Sequence, residues 1–457
     1  MNKRESIAQI IKKIQQPGLM ASFIKKAGIA FVIQVLGVGL GYLLQVFLAR
    51  VMGSEEYGLY TYILAWATIC AVISNLGIPV AVLRFIPEYT TKGDWGRFQG
   101  VIRGSSRLTF ASSVGMSILL TLIVLSVNYY RQVENLIPIL FGIWTVPLLA
   151  LENLQGNFFR GSRLMVAAYG PSKVLRPVLF IIGTWVILQL VETGQISSQL
   201  VFIITIITYV LLIFSQQLLI HQGLLSQGEK TTPIYELRSW LRVSLPLLLI
   251  VGFVIILYQT DILMIGVILG PAQVALYNAA TKTSYLASFV YMAVEAIAAP
   301  TIASLYTAGD RIELQKMMTT MAHLVFWPSM IITLFLCLFS DYILGMFGAE
   351  FIAAKWPLVI LALGQLINSA TGPVGYMLDL TGHQDQSARV RCFTAITNIV
   401  LNSILIPQFG IIGAAIATST AVILDNVIIY CLAVKYIGVH SAIFSQVFLN
   451  LITSKKT

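Results

Sequence analysis

The chain is a succession of apolar runs, each about 20 residues or longer, separated by short polar segments. Hydrophobic and polar residues do not alternate within a run. A membrane β-barrel needs that two-residue alternation between lipid and lumen, so a barrel is excluded. Lipid offers the backbone no hydrogen-bond partner, and helices satisfy their own. The 457 residues are 57% hydrophobic and 11% charged, with a mean hydropathy of +0.85. A soluble domain carries about 25% charged residues. The sequence therefore predicts an all-α integral membrane protein of about twelve transmembrane helices. Spans are expected at 27–51, 58–86, 107–128, 136–159, 170–190, 199–221, 243–268, 274–303, 318–340, 353–380, 392–408 and 411–435. Pro171 and Pro177 interrupt the start of the fifth, and the last two divide near Phe409-Gly410.

The net charge is +10, and its placement shows what it serves. With the N-terminus taken as cytoplasmic, 24 of the 29 basic residues fall in or beside inner segments. These include Lys92, Arg97, Arg103 and Arg107 after span two, and Arg160, Arg163, Lys173 and Arg176 around the next inner loop. Lys and Arg collect on the cytoplasmic side of membrane proteins. The bias predicts a multi-pass protein of the cytoplasmic membrane with both termini inside, and membrane lipid rather than nucleic acid as the partner of the basic charge. Residues 1–26 form a basic N-terminal segment in which Ile7, Ile10, Ile11 and Ile14 recur at helical spacing. It reads either as an amphipathic helix on the inner leaflet or as an unstructured basic tail.

Residues 53–60, Gly-Ser-Glu-Glu-Tyr-Gly-Leu-Tyr, are echoed by residues 270–277, Gly-Pro-Ala-Gln-Val-Ala-Leu-Tyr, at an offset of 217. Both stretches join an outward span to a returning one, as two parallel six-span repeats would. The expected organisation is a first lobe at 27–222, a cytoplasmic linker at 223–242, a second lobe at 243–437 and a tail at 438–457.

Enzyme signatures are missing. There is no GxxxxGK[ST], HExxH or GxSxG, and the four histidines have no metal spacing. The four cysteines, Cys70, Cys337, Cys392 and Cys431, read as small core residues. No cofactor is expected beyond a coupling H+ or Na+. The candidates for function are charges inside the spans, each costing about 2.5–3.5 kcal/mol at mid-bilayer. They are Arg84, Glu152, Asp261, Lys282, Glu295, Asp379 and Asp425, with Arg50 at the outer end of span one. Asp261 and Lys282 lie in adjacent spans and could pair. Glu152 is two turns from Arg160 and could serve a polar contact. Gly77 with Pro79, and Gly372-Pro373 with Gly375, break their spans, and broken helices either line a cavity or permit close packing.

Several stretches resemble the polysaccharide biosynthesis flippases of the Wzx type, within the MOP superfamily. They are Leu48-Ala49-Arg50 with 53–60, then Asp261 to Gly266 leading to Gly270, Leu276 to Ala280 and Lys282. Leu380-Thr381-Gly382, Asn398 to Asn402, Leu405-Ile406-Pro407 and Gly413 to Thr418 follow the same pattern. The resemblance implies two six-helix lobes of MOP/MATE-like type around a cationic cavity. It also implies movement of a polyprenyl-diphosphate-linked oligosaccharide between leaflets by alternating access, with polysaccharide assembly proteins as possible partners. Arg50, Arg84 and Lys282 are then the expected head-group contacts. Asp261, Glu295 and Asp425, with Glu152, are expected to bind a coupling cation or to pair internally. Arginine suits a phosphate because it pairs bidentately. The competing readings are a cation-coupled antiporter of the MATE branch with the same fold, a polysaccharide polymerase or ligase, and a non-transporting scaffold. A polymerase would carry a large outer loop, absent here, and a scaffold would not need intramembrane charges.

Overall fold

A computed structural model describes residues 17–190, 196–226, 231–291, 294, 302 and 305–443. The chain is helical almost throughout these residues. In order the helices are α1 (Pro17–Ser74), α2 (Ile78–Lys92), α3 (Trp95–Tyr130), α4 (Leu136–Trp144), α5 (Val146–Gly161), α6 (Met165–Leu190) and α7 (Ser198–Leu224). Then follow α8 (Leu237–Leu269), α9 (Pro271–Ser284), α10 (Arg311–Leu338), α11 (Lys355–Thr371), α12 (Val374–Leu380) and α13 (Gln384–Ile437). Among the described residues nine helices are long and apolar enough to cross a membrane. Two of these, α1 and α13, are pairs turning at Gly53 and Gly410. Counted singly they make eleven crossings, and α9 begins the segment where the sequence places one more, part of which lies outside the described residues. The isoleucine-rich stretch of the N-terminal segment and Glu295 lie outside the described residues.

The second span is split where the sequence places Gly77 and Pro79. Gly77 sits at φ 73°, and α2 restarts with a proline in its first turn, where a missing N–H costs nothing. The fifth span departs from expectation. Pro171 and Pro177 do not interrupt it, because a π-helical turn at Pro171–Leu175 carries the helix across them. The wider i→i+5 ring absorbs the proline that an α-helical turn would reject. Lys173 and Arg176, expected at the interrupted inner edge of this span, therefore lie inside a continuous helix.

The echo at offset 217 is a backbone repeat. Gly53 (φ 72°, ψ 171°) and Gly270 (φ 90°, ψ 175°) adopt nearly the same conformation. A second echo is the Gly-Asp pair at 93–94 and 309–310. Gly93 and Gly309 both take positive φ, and the aspartate after each caps the next helix. Asp94 accepts from the Arg97 N–H and Asp310 from the Glu313 N–H, both at 3.0 Å. The two halves cross at equivalent residues. A methyl group at Gly58 would overlap the Pro271 carbonyl and lie 3.2 Å from the amide nitrogen of Ala275, the position 217 residues on. A buried cluster including Leu48, Tyr57, Tyr277, Phe347 and Phe351 fills this side of the seam, away from the basic loops.

On the side bearing the basic loops, contact is made by the segment before α8. Gly100 leaves no room for a side chain against the Ile234 carbonyl. The Ile234 N–H donates to the Gly96 carbonyl at 3.0 Å, and Arg97 Nε lies 2.9 Å from Glu236 Oε1. Farther in, Gly77 abuts the Ser244 carbonyl of α8.

Candidate functional site

Tyr60 and Tyr277 occupy equivalent places in the repeat, and each reaches into the polar interior of its own half. The two interiors carry opposite charge. In the first half, the Tyr60 hydroxyl lies 3.2 Å from Thr205 Oγ1. Close by, Arg176 donates to the Tyr209 hydroxyl at 2.7 Å, with its guanidinium 5.7 Å from the Tyr209 ring centre. Glu152 on α5 lies within electrostatic reach of both Arg176 and Lys173. The π turn holding Lys173 is pressed against α1, where a methyl group on Gly37 would come within 2.7 Å of the Lys173 Cβ.

Lys282 belongs to the second half, on α9. The charges acting on it most are Arg176 and Lys173, from the first half. Lys173 and Lys282 are exposed, and Arg176 and Glu152 are partly buried. Three cations thus lie within electrostatic reach of one another across the seam between the halves, and Glu152 is within reach of two of them, Arg176 and Lys173. Lys282 is in no ion pair among the described residues. Such a cluster carries excess positive charge and is suited to an anion of charge two. Arg176 offers bidentate geometry, and the lysines offer point charges.

Asp261 does not pair with Lys282. It is 4% exposed and is surrounded by neutral oxygen and amide groups. Tyr277 donates to Oδ2 at 2.7 Å, Asn402 donates to Oδ1 at 2.6 Å, and Thr418 also donates to Oδ2. Asn398 completes the group through Thr418 at 3.3 Å and Asn402 at 3.1 Å. The Asn402 Oδ1 is buried without a hydrogen-bond partner among the described residues. The three donated hydrogen bonds offset part of the cost of burying this carboxylate, but no cation among the described residues pairs with it. A lone acid among hydroxyl and amide oxygens, one of them unsatisfied, suits a proton or a hard monovalent cation.

The other predicted residues are placed elsewhere. Arg50 is exposed just before the Gly53 corner. Arg84 is exposed on α2 and acts on Glu88, which is 2.6 Å from Lys92. No contact joins either arginine to Lys282 among the described residues. Glu152 lies within electrostatic reach of Arg176 and Lys173 rather than pairing with Arg160, which donates instead to Asn157 at 3.1 Å. Asp425 accepts from Thr394 at 3.1 Å and is near Arg391, itself 3.1 Å from Asp379. Sequence reasoning missed Lys173 and Arg176, having assigned both to a loop edge. Their spacing of three residues, inside a run that stays apolar to Leu190, was the available signal. It also missed the partners of Asp261, although Asn398 and Asn402 stand one helical turn apart in an apolar helix.

Residues 23–306 match the family described as polysaccharide biosynthesis protein, and residues 246–404 match the MatE family. The chain is similar to the probable low-salt glycan biosynthesis flippase Agl15 of Haloferax volcanii, with 23% identity over 411 residues. That alignment spans 87% of this chain and 80% of the relative. The fold is similar to an inward-facing multidrug resistance MATE family transporter of the MOP superfamily, at a TM-score of 0.71 and 14% identity. It covers 89% of this chain and 94% of that one. It is similar also to the lipid II flippase MurJ in an inward closed conformation, at a TM-score of 0.63 and 15% identity, covering 90% and 87%. The long apolar helices, the repeat about Gly53 and Gly270 and these matches lead to one assignment: the chain belongs to the polysaccharide biosynthesis protein family, within the flippases and transporters of the MOP superfamily.

Proposed function

We propose that this chain translocates a polyprenyl-diphosphate-linked oligosaccharide across the cytoplasmic membrane by alternating access. The observation that carries this reading is the position of Lys282 opposite Lys173 and Arg176, which puts unbalanced positive charge on the seam between the halves. A diphosphate cannot cross hydrocarbon unaided, and cations lining a seam stabilise it without closing the lateral path that a lipid tail needs. The three cations meet the diphosphate, and Glu152 holds Arg176 and Lys173 in place between cycles. The second half's acid, Asp261, takes up a proton or Na+ with Asn398, Asn402, Thr418 and Tyr277, coupling the cycle to an ion gradient. The glycan flippase similarity of the Haloferax relative supports a glycan-bearing lipid over a drug. Deleting the gene in its host tests the assignment. Loss of a surface glycan, with its lipid-linked precursor accumulating, is expected. Normal glycan export together with new sensitivity to cationic drugs would assign the chain to antiport instead.

A further inference from the structure

A groove of about 340 Å³ opens on the basic side, lined by Gly104, Arg107, Leu108, Tyr235, Leu237 and Trp240. It lies between α3 of the first half and the segment entering α8. Its floor is rigid. Gly104 is the close-approach point, where a methyl group would fall 2.7 Å from the Trp240 ring, and the buried Trp240 donates to the Tyr89 hydroxyl at 3.3 Å. Arg107 stands at its rim, 5.9 Å from the centre of the Tyr235 ring.

The charge around the groove is one-sided. Arg103 adjoins Gly104, Arg238 adjoins Leu237, and Arg242 follows Trp240 by two residues. These three and Arg107 are all exposed, and none is in an ion pair among the described residues. Glu236, the acid next to the groove, is already paired with Arg97. An apolar groove in a helical membrane surface that ends in unpaired guanidinium groups fits an acyl chain carrying a phosphate. The basic N-terminal segment does not fit, because Lys3, Arg4, Lys12 and Lys13 would be driven against like charge. The groove also shares no lining residue with the Lys282 cluster, which is built from α5, α6 and α9.

We propose that this groove binds an anionic phospholipid of the basic-side leaflet, with its phosphate on Arg107 and a chain along Leu108, Leu237 and Trp240. The bound lipid spans α3 and the segment entering α8 and so fastens the connection between the halves. The inference is independent of what the seam transports.

Native mass spectrometry of the full chain tests it, with phosphatidylglycerol and phosphatidylcholine of matched chains as probes. The wild type is expected to keep a phosphatidylglycerol under activation that strips phosphatidylcholine. Arg107→Gln is expected to weaken that retention about fivefold, as for loss of one basic contact at a membrane surface. Leu237→Trp fills the groove, leaves every charge in place, and is expected to weaken retention as well. Arg131→Gln, beyond the other end of α3, is expected to change nothing. Equal retention of the two lipids by the wild type, or wild-type retention of phosphatidylglycerol by either groove variant, would overturn the proposal. So would displacement by excess glycerol 3-phosphate, which carries the phosphate without a chain.

Discussion

Glu350 Oε1 accepts the backbone N–H of Ser54 at 2.7 Å, across 296 residues of sequence. Ser54 follows the Gly53 turn and opens the second arm of α1, so the carboxylate caps a helix start with its free N–H groups and positive dipole end. Glu350 comes from the turn Ala349–Ala354 that leads into α11. Beside it the Asn278 amide donates to the Tyr57 hydroxyl at 2.7 Å, and Tyr42 lies 3.2 Å from Thr283. Together these contacts tie the two halves on the side away from the basic loops.

An exposed carboxylate at a helix start is worth about 0.3–1 kcal/mol. Glu350→Ala is therefore expected to shift the balance toward opening on that side, up to about fivefold, and Glu350→Gln by less, since it keeps an acceptor. The measurement is labelling of a Thr281→Cys reporter by an impermeant maleimide, in a chain whose four native cysteines are replaced. Unchanged labelling in Glu350→Ala would show that the cap does not hold the seam.

Gly58 and Gly39 make opposite predictions from the same substitution. Alanine at Gly58 overlaps the Pro271 carbonyl at the crossing of the halves, whereas at Gly39 nothing lies within 4 Å. Gly58→Ala is expected to destabilise by about 1–3 kcal/mol, the usual range for overpacking, and to reduce export. Gly39→Ala is expected to be neutral or to stabilise by up to about 1 kcal/mol through helix propensity. Thermal unfolding of the two variants in one detergent checks the order, and a Gly58→Ala protein as stable as the wild type would place the crossing elsewhere.

Asp261→Asn keeps the shape of the side chain and removes the charge its neighbours surround. The variant is expected to fold, because replacing a buried charge by a neutral group relieves its desolvation. Transport by it is expected to lose its response to an imposed proton or Na+ gradient. Asp261→Leu, in contrast, leaves Tyr277, Asn402 and Thr418 without their acceptor and is expected to cost about 1–3 kcal/mol of stability for each buried polar group left unpaired. A full gradient response in Asp261→Asn would remove the acid from the coupling step.

Much of the architecture was legible because lipid leaves few options. Apolar run length located the spans, the basic bias supported their number, and Gly77 with Pro79 marked the break between α1 and α2. The pairing of Gly53 with Gly270 was visible as eight residues of echo. The charge cluster was less legible, since proximity across the seam depends on tertiary packing. Lys282 is recognisable as a costly charge, but its neighbours are not, because the prolines around Lys173 and Arg176 put both at the interrupted start of the fifth span, beside the inner loop. Only the π turn reverses that. Asp261 and Lys282 are matched by depth and sign in the sequence, yet the Asp261 side chain turns inward to Asn402 and Thr418 while Lys282 faces the cations of the first half.

The most direct measurement is the rate at which a fluorescent polyprenyl-diphosphate oligosaccharide changes leaflet in vesicles containing the purified chain. The wild type is expected to accelerate exchange well above protein-free vesicles. Lys282→Met is expected to abolish the acceleration even alongside Asp261→Asn, and Lys282→Arg to keep part of it by keeping the charge. No acceleration by the wild type would contradict the proposed transport, and full activity of the Lys282→Met, Asp261→Asn double variant would contradict the role of the cation cluster in holding the diphosphate.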